Sequence, residues 1–466
     1  MSDDTPAAPP ADQAGAVRGT DRPATFRDVF AVSEYRAVYL ALLVNWLGDY
    51  LARAAITVLV YQQTQSVLLS AASFAISYLP WVVGGPLLAA LAERYAYRRV
   101  MIVCDLLRMV MVGLVAIPGL PVGVVLALAF LGMLTSPPTQ AARSALLPLL
   151  LGRDRVVVAL AINATTVQAA QVIGYMVGAT VAAAASPRLA IAGVALTFGL
   201  SALILATGVR GRPPARSPAQ RSHLLHETAE GFQLVFGNRV LRPIAVLVFT
   251  LTMFAIVPEG LAAGWAAEVN PDPSSRGFDQ GLIMAAGPVG WIIGGLMISR
   301  LVSPAVRQRL IRPLAIVAPL ALVPALAAPP VEIVALLTMI SGIAQGGLMP
   351  TLNGLFVLAL PHGYRARAFG VMQGGLQISQ GGAVLVTGLL AQESSVPITV
   401  GLWSVGGVLL MIAMAARWPS AARFERAIAE AAAATPEQAE QTQPVTTTAR
   451  PRVPAASATR VTPDNR

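Results

Sequence analysis

The chain has 466 residues, 55% hydrophobic and 12% charged, with a formal net charge of +10. That much apolar surface excludes a water-soluble globule of this length, and the lack of any lysine among its 33 basic residues excludes a P-loop ATPase and a lysine Schiff base. The arginines are spread over many short connections rather than gathered in one patch, which speaks for membrane topology and against nucleic acid as a partner.

Residues 1–35, rich in Pro, Ala and Asp, read as a disordered cytoplasmic tail with no cleavable signal peptide. Apolar runs follow near 37–61, 67–91, 98–117, 122–146, 157–184 and 188–209, and again near 243–267, 279–301, 310–328, 331–357, 367–391 and 396–418. Each is close to the ~20 residues that cross a bilayer as a helix. The expected fold is therefore an all-α membrane protein with twelve transmembrane helices in two pseudo-symmetric six-helix bundles, residues 36–209 and 243–418. Residues 210–242 are expected as a cytoplasmic linker, flexible at first and then an amphipathic helix with Leu225, Ala229, Phe232 and Phe236 on one face. Residues 419–466, after the helical patch "ARFERAIAEAAAA", read as a cytoplasmic tail.

The connections alternate in arginine. Arg94, Arg98 and Arg99 follow the second run, Arg153 and Arg155 the fourth, Arg307, Arg309 and Arg312 the eighth, and Arg365 and Arg367 the tenth, whereas "QTQS", "PGLP" and "QESS" carry none. The positive-inside rule places both termini and the linker in the cytoplasm of a multi-pass plasma-membrane protein. A shift of 212 residues lays Pro138-Thr139 on Pro350-Thr351, and Arg153 and Arg155 on Arg365 and Arg367. Such self-similarity is the mark of a duplicated unit, with a substrate site expected near mid-membrane between the copies.

Charged residues inside the runs are the candidate site, because each costs roughly 2.5–3.5 kcal/mol at a helix centre on the insertion scale. Asn45, Asp49 and Arg53 form an i, i+4, i+8 stripe in "NWLGDYLARA", where Asp49 and Arg53 are expected to pair. Glu259, after Pro258 in "AIVPEGLAAGW", has no basic residue near it in sequence and suits reversible protonation; the alternative is a carboxylate in an outer vestibule. Asp105 and Arg108 form a second pair, either a structural clamp or transport chemistry. Gln168 and Gln171, Gln345 and Asn353, and the stripe Gln373, Gln377 and Gln380 add neutral polar groups, which could equally serve helix packing, as Gly174 and Gly178 do in "QVIGYMVGA". Few carboxylates, many amides and a wide apolar surface suit a large amphipathic substrate, a cation included. No metal site is expected: His223 and His226 lack a third ligand, and Cys104 is a lone packing residue.

The connection "GGPLLAALAERYAYRRV", with Gly85, Arg94, Arg98 and Arg99 as matching residues and Glu93 at the place of the usual aspartate, resembles the signature of the major facilitator superfamily. "LGDYLARAAITVLVYQQT", "CDLLRMV", "PPTQAARSALLP" and "RARAFGVMQGG" resemble its drug:proton antiporter branch, with macrolide and siderophore exporters; Tyr175 stands where that branch's glycine-rich motif has proline. The resemblance implies a monomeric carrier without cofactor that moves a small molecule across the lipid bilayer by alternating access, with protons as coupling ion. It implies that the first helix lines the cavity and that Gly85, Glu93, Arg94, Arg98 and Arg99, with Arg143, form an inner gate. Proton-coupled efflux of drug-like amphipaths is the expected function. An exporter of a siderophore or endogenous natural product is the alternative, followed by a non-transporting scaffold or sensor. An enzyme is not expected, since the sequence shows no paired catalytic carboxylates or Ser/His/Asp set.

Overall fold

The computed structural model describes residues 25–83, 95–212, 224–270, 272, 275–360, 365–420, 422–426 and 428–429. Among these no strand occurs, as expected where backbone polar groups in hydrocarbon must be satisfied within their own segment. The helices are α1 (Phe26–Phe30), α2 (Ser33–Thr64), α3 (Val67–Ala75), α4 (Leu79–Val83), α5 (Tyr97–Val115), α6 (Val122–Met133), α7 (Ser136–Ala184) and α8 (Pro187–Gly208) in the first half of the chain. The second half has α9 (Leu224–Gly237), α10 (Leu241–Ala255), α11 (Val257–Val269), α12 (Arg276–Leu301), α13 (Pro304–Leu320), α14 (Val331–Leu358), α15 (Arg365–Glu393) and α16 (Val396–Ala416). The α7 segment turns at Gly152, whose φ of 71° is a left-handed value open to glycine without strain. That turn separates the expected runs ending near 146 and starting near 157.

Nine stretches among the described residues are long and apolar enough to cross a membrane. The described parts of the other three expected runs are mostly helical too but fall short for physical reasons. Val67–Trp81 is shorter within the described residues. The helices α5 and α15 carry the charges and amides that build the site, and these lower their hydropathy. Large apolar side chains such as Leu196, Leu301 and Leu409 stand mostly exposed on the outer surface, the arrangement of a protein solvated by lipid.

In the first half, α2 packs against α7 and α8, and α5 against α8. In the second, α12 packs against α14, α13 against α14 and α16, and α10 against α15. The halves meet chiefly where α7 lies on α12 and α3 on α15. These contacts are tight at one end: a Cβ added at Gly277 would stand 2.2 Å from the Ala183 Cβ, and one at Gly388 would stand 2.7 Å from the Ala71 Cβ. The closest crossing of all is between α12 and α14. Gly290 and Gly294 on one helix and Gly342 and Gly346 on the other repeat at i, i+4, so their backbones touch. A Cβ on Gly290 would lie 2.0 Å from the Met339 carbonyl oxygen, and one on Gly346 2.0 Å from that of Trp291. Without a hydrophobic drive between helices in lipid, this close approach supplies the packing energy.

Two expectations about the flanking segments need correction. Residues 1–35 do not read as tail throughout, because α1 forms within them. Its start is fixed by the Thr25 backbone N–H donating to the Asp28 carboxylate at 2.9 Å, and Val29 is buried against Tyr35, Leu147 and Leu151. In the linker helix α9 the buried face is Gly231 and Val235, not the predicted apolar stripe: Ala229 is exposed and Phe232 half-exposed, stacked on Phe236 at 5.7 Å. Phe236 still packs against the core, and the Glu230–Arg367 ion pair ties α9 to α15. Beyond α16, Phe424 is buried near Trp418, at 5.8 Å between rings.

If the α12–α14 crossing is as rigid as its backbone contacts require, Gly342→Ala destabilises the detergent-solubilised protein by about 1–3 kcal/mol. Gly354→Ala on the same helix, where an added Cβ meets nothing within 4 Å, leaves the melting temperature unchanged. A differential scanning measurement of both variants checks the contrast.

Candidate functional site

The cavity between the halves occupies about 450 Å3, within the range of small-molecule sites. Its charged lining is Asp49, Arg53, Arg108, Arg143 and Glu259. Gln168, Gln171, Gln345, Gln373, Gln377 and Gln380 supply amides, and Trp46, Tyr50, Tyr78, Trp81 and Trp291 supply rings. The structure thus brings together most of the polar residues expected from the sequence. Asn353 does not join them: it is exposed, one turn beyond Met349 along α14.

The wall from the first half is a connected hydrogen-bond network. Arg108 on α5 is only 2% exposed. Its Nη1 donates to Asp49 Oδ1 at 2.8 Å and Asn45 Oδ1 at 3.1 Å, its Nε to Thr135 Oγ1 at 3.1 Å and its Nη2 to Ser136 Oγ at 2.5 Å. Asn45 Nδ2 donates to Asp105 Oδ1 at 2.7 Å, and Ser201 Oγ to Asp105 Oδ2 at 2.6 Å. Asn45 therefore relays between a buried carboxylate and a buried guanidinium, using both ends of its amide. The network joins α2, α5, α7 and α8, with the Phe198 ring 5.1 Å from the Arg108 guanidinium. Asp105 lies behind the wall rather than on the cavity surface, so the clamp reading describes its geometry.

The expected Asp49–Arg53 pair is not what forms. Asp49 pairs with Arg108. Helix geometry gives the reason: at 3.6 residues per turn, each i, i+4 step drifts by about 40° around the axis. Asn45 and Asp49 consequently face α5, while Arg53, a further step on, turns toward α3 and α7. There its guanidinium lies 5.4 Å from the Tyr50 ring, 5.5 Å from Phe74 and 5.4 Å from Tyr78, with Nη1 reaching the Tyr175 hydroxyl at 3.5 Å. Its Nε has no partner. Three rings and a phenol take the place of the expected carboxylate.

Glu259 enters from the second half. The long apolar run 241–269 is divided at Ile256, just before Pro258, which cannot donate a backbone hydrogen bond. Glu259 falls in the first turn of α11, where a helix N-terminus favours a carboxylate. It is 7% exposed. Gln171 Nε2 donates to its Oε2 at 3.3 Å, and the Arg53 guanidinium and the Tyr175 phenol act on it electrostatically. The sequence shows no base near Glu259; in space Arg53 of the other half, with Tyr175 between, supplies one.

Of the residues expected at the inner gate, Gly85, Glu93 and Arg94 lie outside the described residues. Arg98 donates to the carbonyls of Leu205, at 3.4 Å, and Ala206, capping the C-terminal end of α8 where a cation is favoured; Arg99 is exposed. Arg143 is buried in the cavity wall, 5.1 Å from the Trp46 ring and bonded to Gln140. Sequence reasoning missed Trp46, Tyr50, Phe74 and Tyr78 as site residues. The spacing of Trp46, Tyr50 and Arg53 along one face of α2 was the available signal.

Residues 38–331 match the family model of the Major Facilitator Superfamily. The enterobactin exporter EntS of Shigella boydii serotype 4 (strain Sb227) is 29% identical over 283 residues, which cover 57% of this chain and 63% of that protein. EntS of Escherichia coli O157:H7 (strain EC4115 / EHEC) is 28% identical over the same length. The chain thus spans 63% of the length of these curated relatives. Among solved structures, a bacterial homolog of the human lysosomal transporter Spinster, in an inward-facing and occupied conformation, superposes with a TM-score of 0.64 at 14% identity, over 85% of this chain and 98% of that one. The nucleoside transporter NupG superposes with a TM-score of 0.61 at 15% identity, over 82% and 99%. At such identities the likeness is one of fold.

The Arg108 network makes a stability prediction. Arg108→Leu leaves the Asp49 and Asp105 carboxylates buried without their cation and costs about 3–5 kcal/mol. Adding Asp49→Asn to it restores part of that loss, because one stranded charge is removed. Chemical denaturation of the two variants in detergent, read by circular dichroism, checks the order.

Proposed function

The chain belongs to the major facilitator superfamily, and on that premise we propose that it is a proton-coupled exporter of amphipathic small molecules working by alternating access. The observation that carries the reading is Glu259: a buried carboxyl on a broken helix of one half, facing Gln171, Tyr175 and Arg53 of the other across the cavity. A group that gains and loses a proton there changes the attraction between the halves. Asp49, Asn45 and Arg108 line the site from the first half. Asp105 holds Asn45 in place, and Arg98 caps α8 at the cytoplasmic end.

In this reading the chain has twelve membrane-spanning helices in two six-helix bundles, with both termini in the cytoplasm of the plasma membrane. The alternation of arginine between connections supports that orientation. The tight contacts of α12 with α7 and of α15 with α3 then fall at the outer end, which suits a form open to the cytoplasm. Export of a siderophore is the second reading, favoured by the similarity to proteins named enterobactin exporter.

Everted membrane vesicles, energised to an inside-acid gradient and offered fluorescent amphipaths of both charge signs (ethidium and 1-pyrenebutyrate), test the proposal. Gradient-driven accumulation is expected in the wild type, with a loss of about 100-fold in Glu259→Gln at equal membrane abundance, in line with removal of an essential proton-transfer group. Accumulation that persists in Glu259→Gln sinks the assignment of the proton carrier. No gradient-driven movement of either probe sinks the broad exporter and leaves the narrow-substrate reading.

A further inference from the structure

We propose that the cavity binds an organic anion built on an aromatic or planar body, and that Arg143, stacked on Trp46, is the residue that holds its negative charge. The proposal rests on the transport reading above and names its substrate class.

Three arginines, Arg53, Arg108 and Arg143, face the cavity against two carboxylates, Asp49 and Glu259. Their engagements differ. Arg108 is ion-paired with Asp49 and makes further hydrogen bonds to Asn45, Thr135 and Ser136. Arg53 is boxed by Tyr50, Phe74 and Tyr78 and opposes Glu259. Arg143 forms no ion pair among the described residues. It is 8% exposed, its protein contacts are the Gln140 side chain and the Trp46 ring, and it borders the cavity.

A guanidinium has five N–H donors in a planar fork that matches a carboxylate or similar oxyanion. Stacking on an indole occupies its face and leaves the donor edge available; Gln140 takes one position on that edge. A cation buried this deeply without a counter-ion costs several kcal/mol, which a bound anion would offset. Asp49 and Asp105 also act on Arg143 electrostatically, but each is engaged elsewhere: Asp49 by Arg108, Asp105 by Asn45 and Ser201. Glu259 already opposes Arg53, which leaves the ligand's charge to Arg143 and its body to the rings of Trp46, Tyr50 and Trp291. The wall opposite offers Gln345, Gln373 and Gln377, whose amides bond to hydroxyl or carbonyl groups without adding charge. The sign is the opposite of the cation that few carboxylates, many amides and a wide apolar surface left open in the sequence.

Equilibrium binding to the full-length protein in lipid nanodiscs, without any gradient, tests the inference. The probes are 1-pyrenebutyrate and 1-pyrenemethylammonium, one ring system with opposite charges, read by energy transfer from tryptophan. The anion is expected to bind about tenfold more tightly than the cation, and Arg143→Gln to weaken the anion about tenfold while changing the cation less than about twofold. Arg143→Lys keeps part of the preference, since it retains the charge without the fork. Preference for the ammonium, or an anion affinity unchanged in a folded Arg143→Gln, overturns the proposal. Should Arg143→Gln fail to fold, the wild-type preference and Arg143→Lys decide. An anion preference without gradient-driven movement in vesicles would leave this assignment standing and sink the exporter. Gradient-driven ethidium movement without an anion preference would do the reverse.

Discussion

The Arg108 network is the constraint on which the first half of the molecule depends. A guanidinium buried among helices in hydrocarbon is tolerable only if its donors are used. Here Asp49, Asn45, Thr135 and Ser136 use them, and Asn45 passes the connection on to Asp105 and Ser201. Because these partners come from α2, α5, α7 and α8, satisfying one arginine fixes four helices against one another. It also fixes the face that α2 presents to the cavity, and with it the direction in which Arg53 points.

The second half reaches rigidity by a different route. Its central crossing, α12 on α14, has no buried ion pair; it rests on glycines whose missing side chains let one backbone lie on the next. Polar groups there are amides on the cavity side, and Glu259 is the one charge the half contributes to the lining. A polar-locked half facing a glycine-packed half leaves the charges concentrated on one wall. Among the described residues the opposite wall has Glu259 as its one acidic group, and in the proposed reading a proton there alters the contact between walls without disturbing the lock.

Hydropathy made the runs, their order and the charged stripe legible in the sequence, because apolar length and intramembrane charge are local properties. Partnership was not local. Asp49 and Arg108 are far apart in the chain, and no spacing rule distinguishes Arg108 from the nearer Arg53 as its partner. The 40° drift of an i, i+4 stripe decides the matter, but only once the positions of α3 and α5 around α2 are known. The same holds for Arg143: on sequence it sits among residues near a loop, and only the fold places it over Trp46. Conversely, the amide stripe on α15 was readable and does line the cavity, since a face of one helix needs no knowledge of the others.

Tyr175 is where these threads meet. Its phenol accepts from Arg53 in its own half at 3.5 Å and acts electrostatically on Glu259 in the other, and its ring packs edge-on against Tyr50 at 5.2 Å. Proline at that position could offer neither contact. In the proposed cycle, the approach of Arg53 and Tyr175 to Glu259 lasts only while α2 and α7 lie close to α11, so whatever lowers the charge on Glu259 weakens that attraction, and whatever parts the helices frees Glu259 to exchange its proton. Reciprocity of this kind is required of any coupled carrier, because a proton can bias the conformational equilibrium only by binding the two forms with different affinity. In the proposed cycle Arg53, Tyr175 and Glu259 serve that requirement with residues from both halves, beside the cavity rather than within the Arg108 lock.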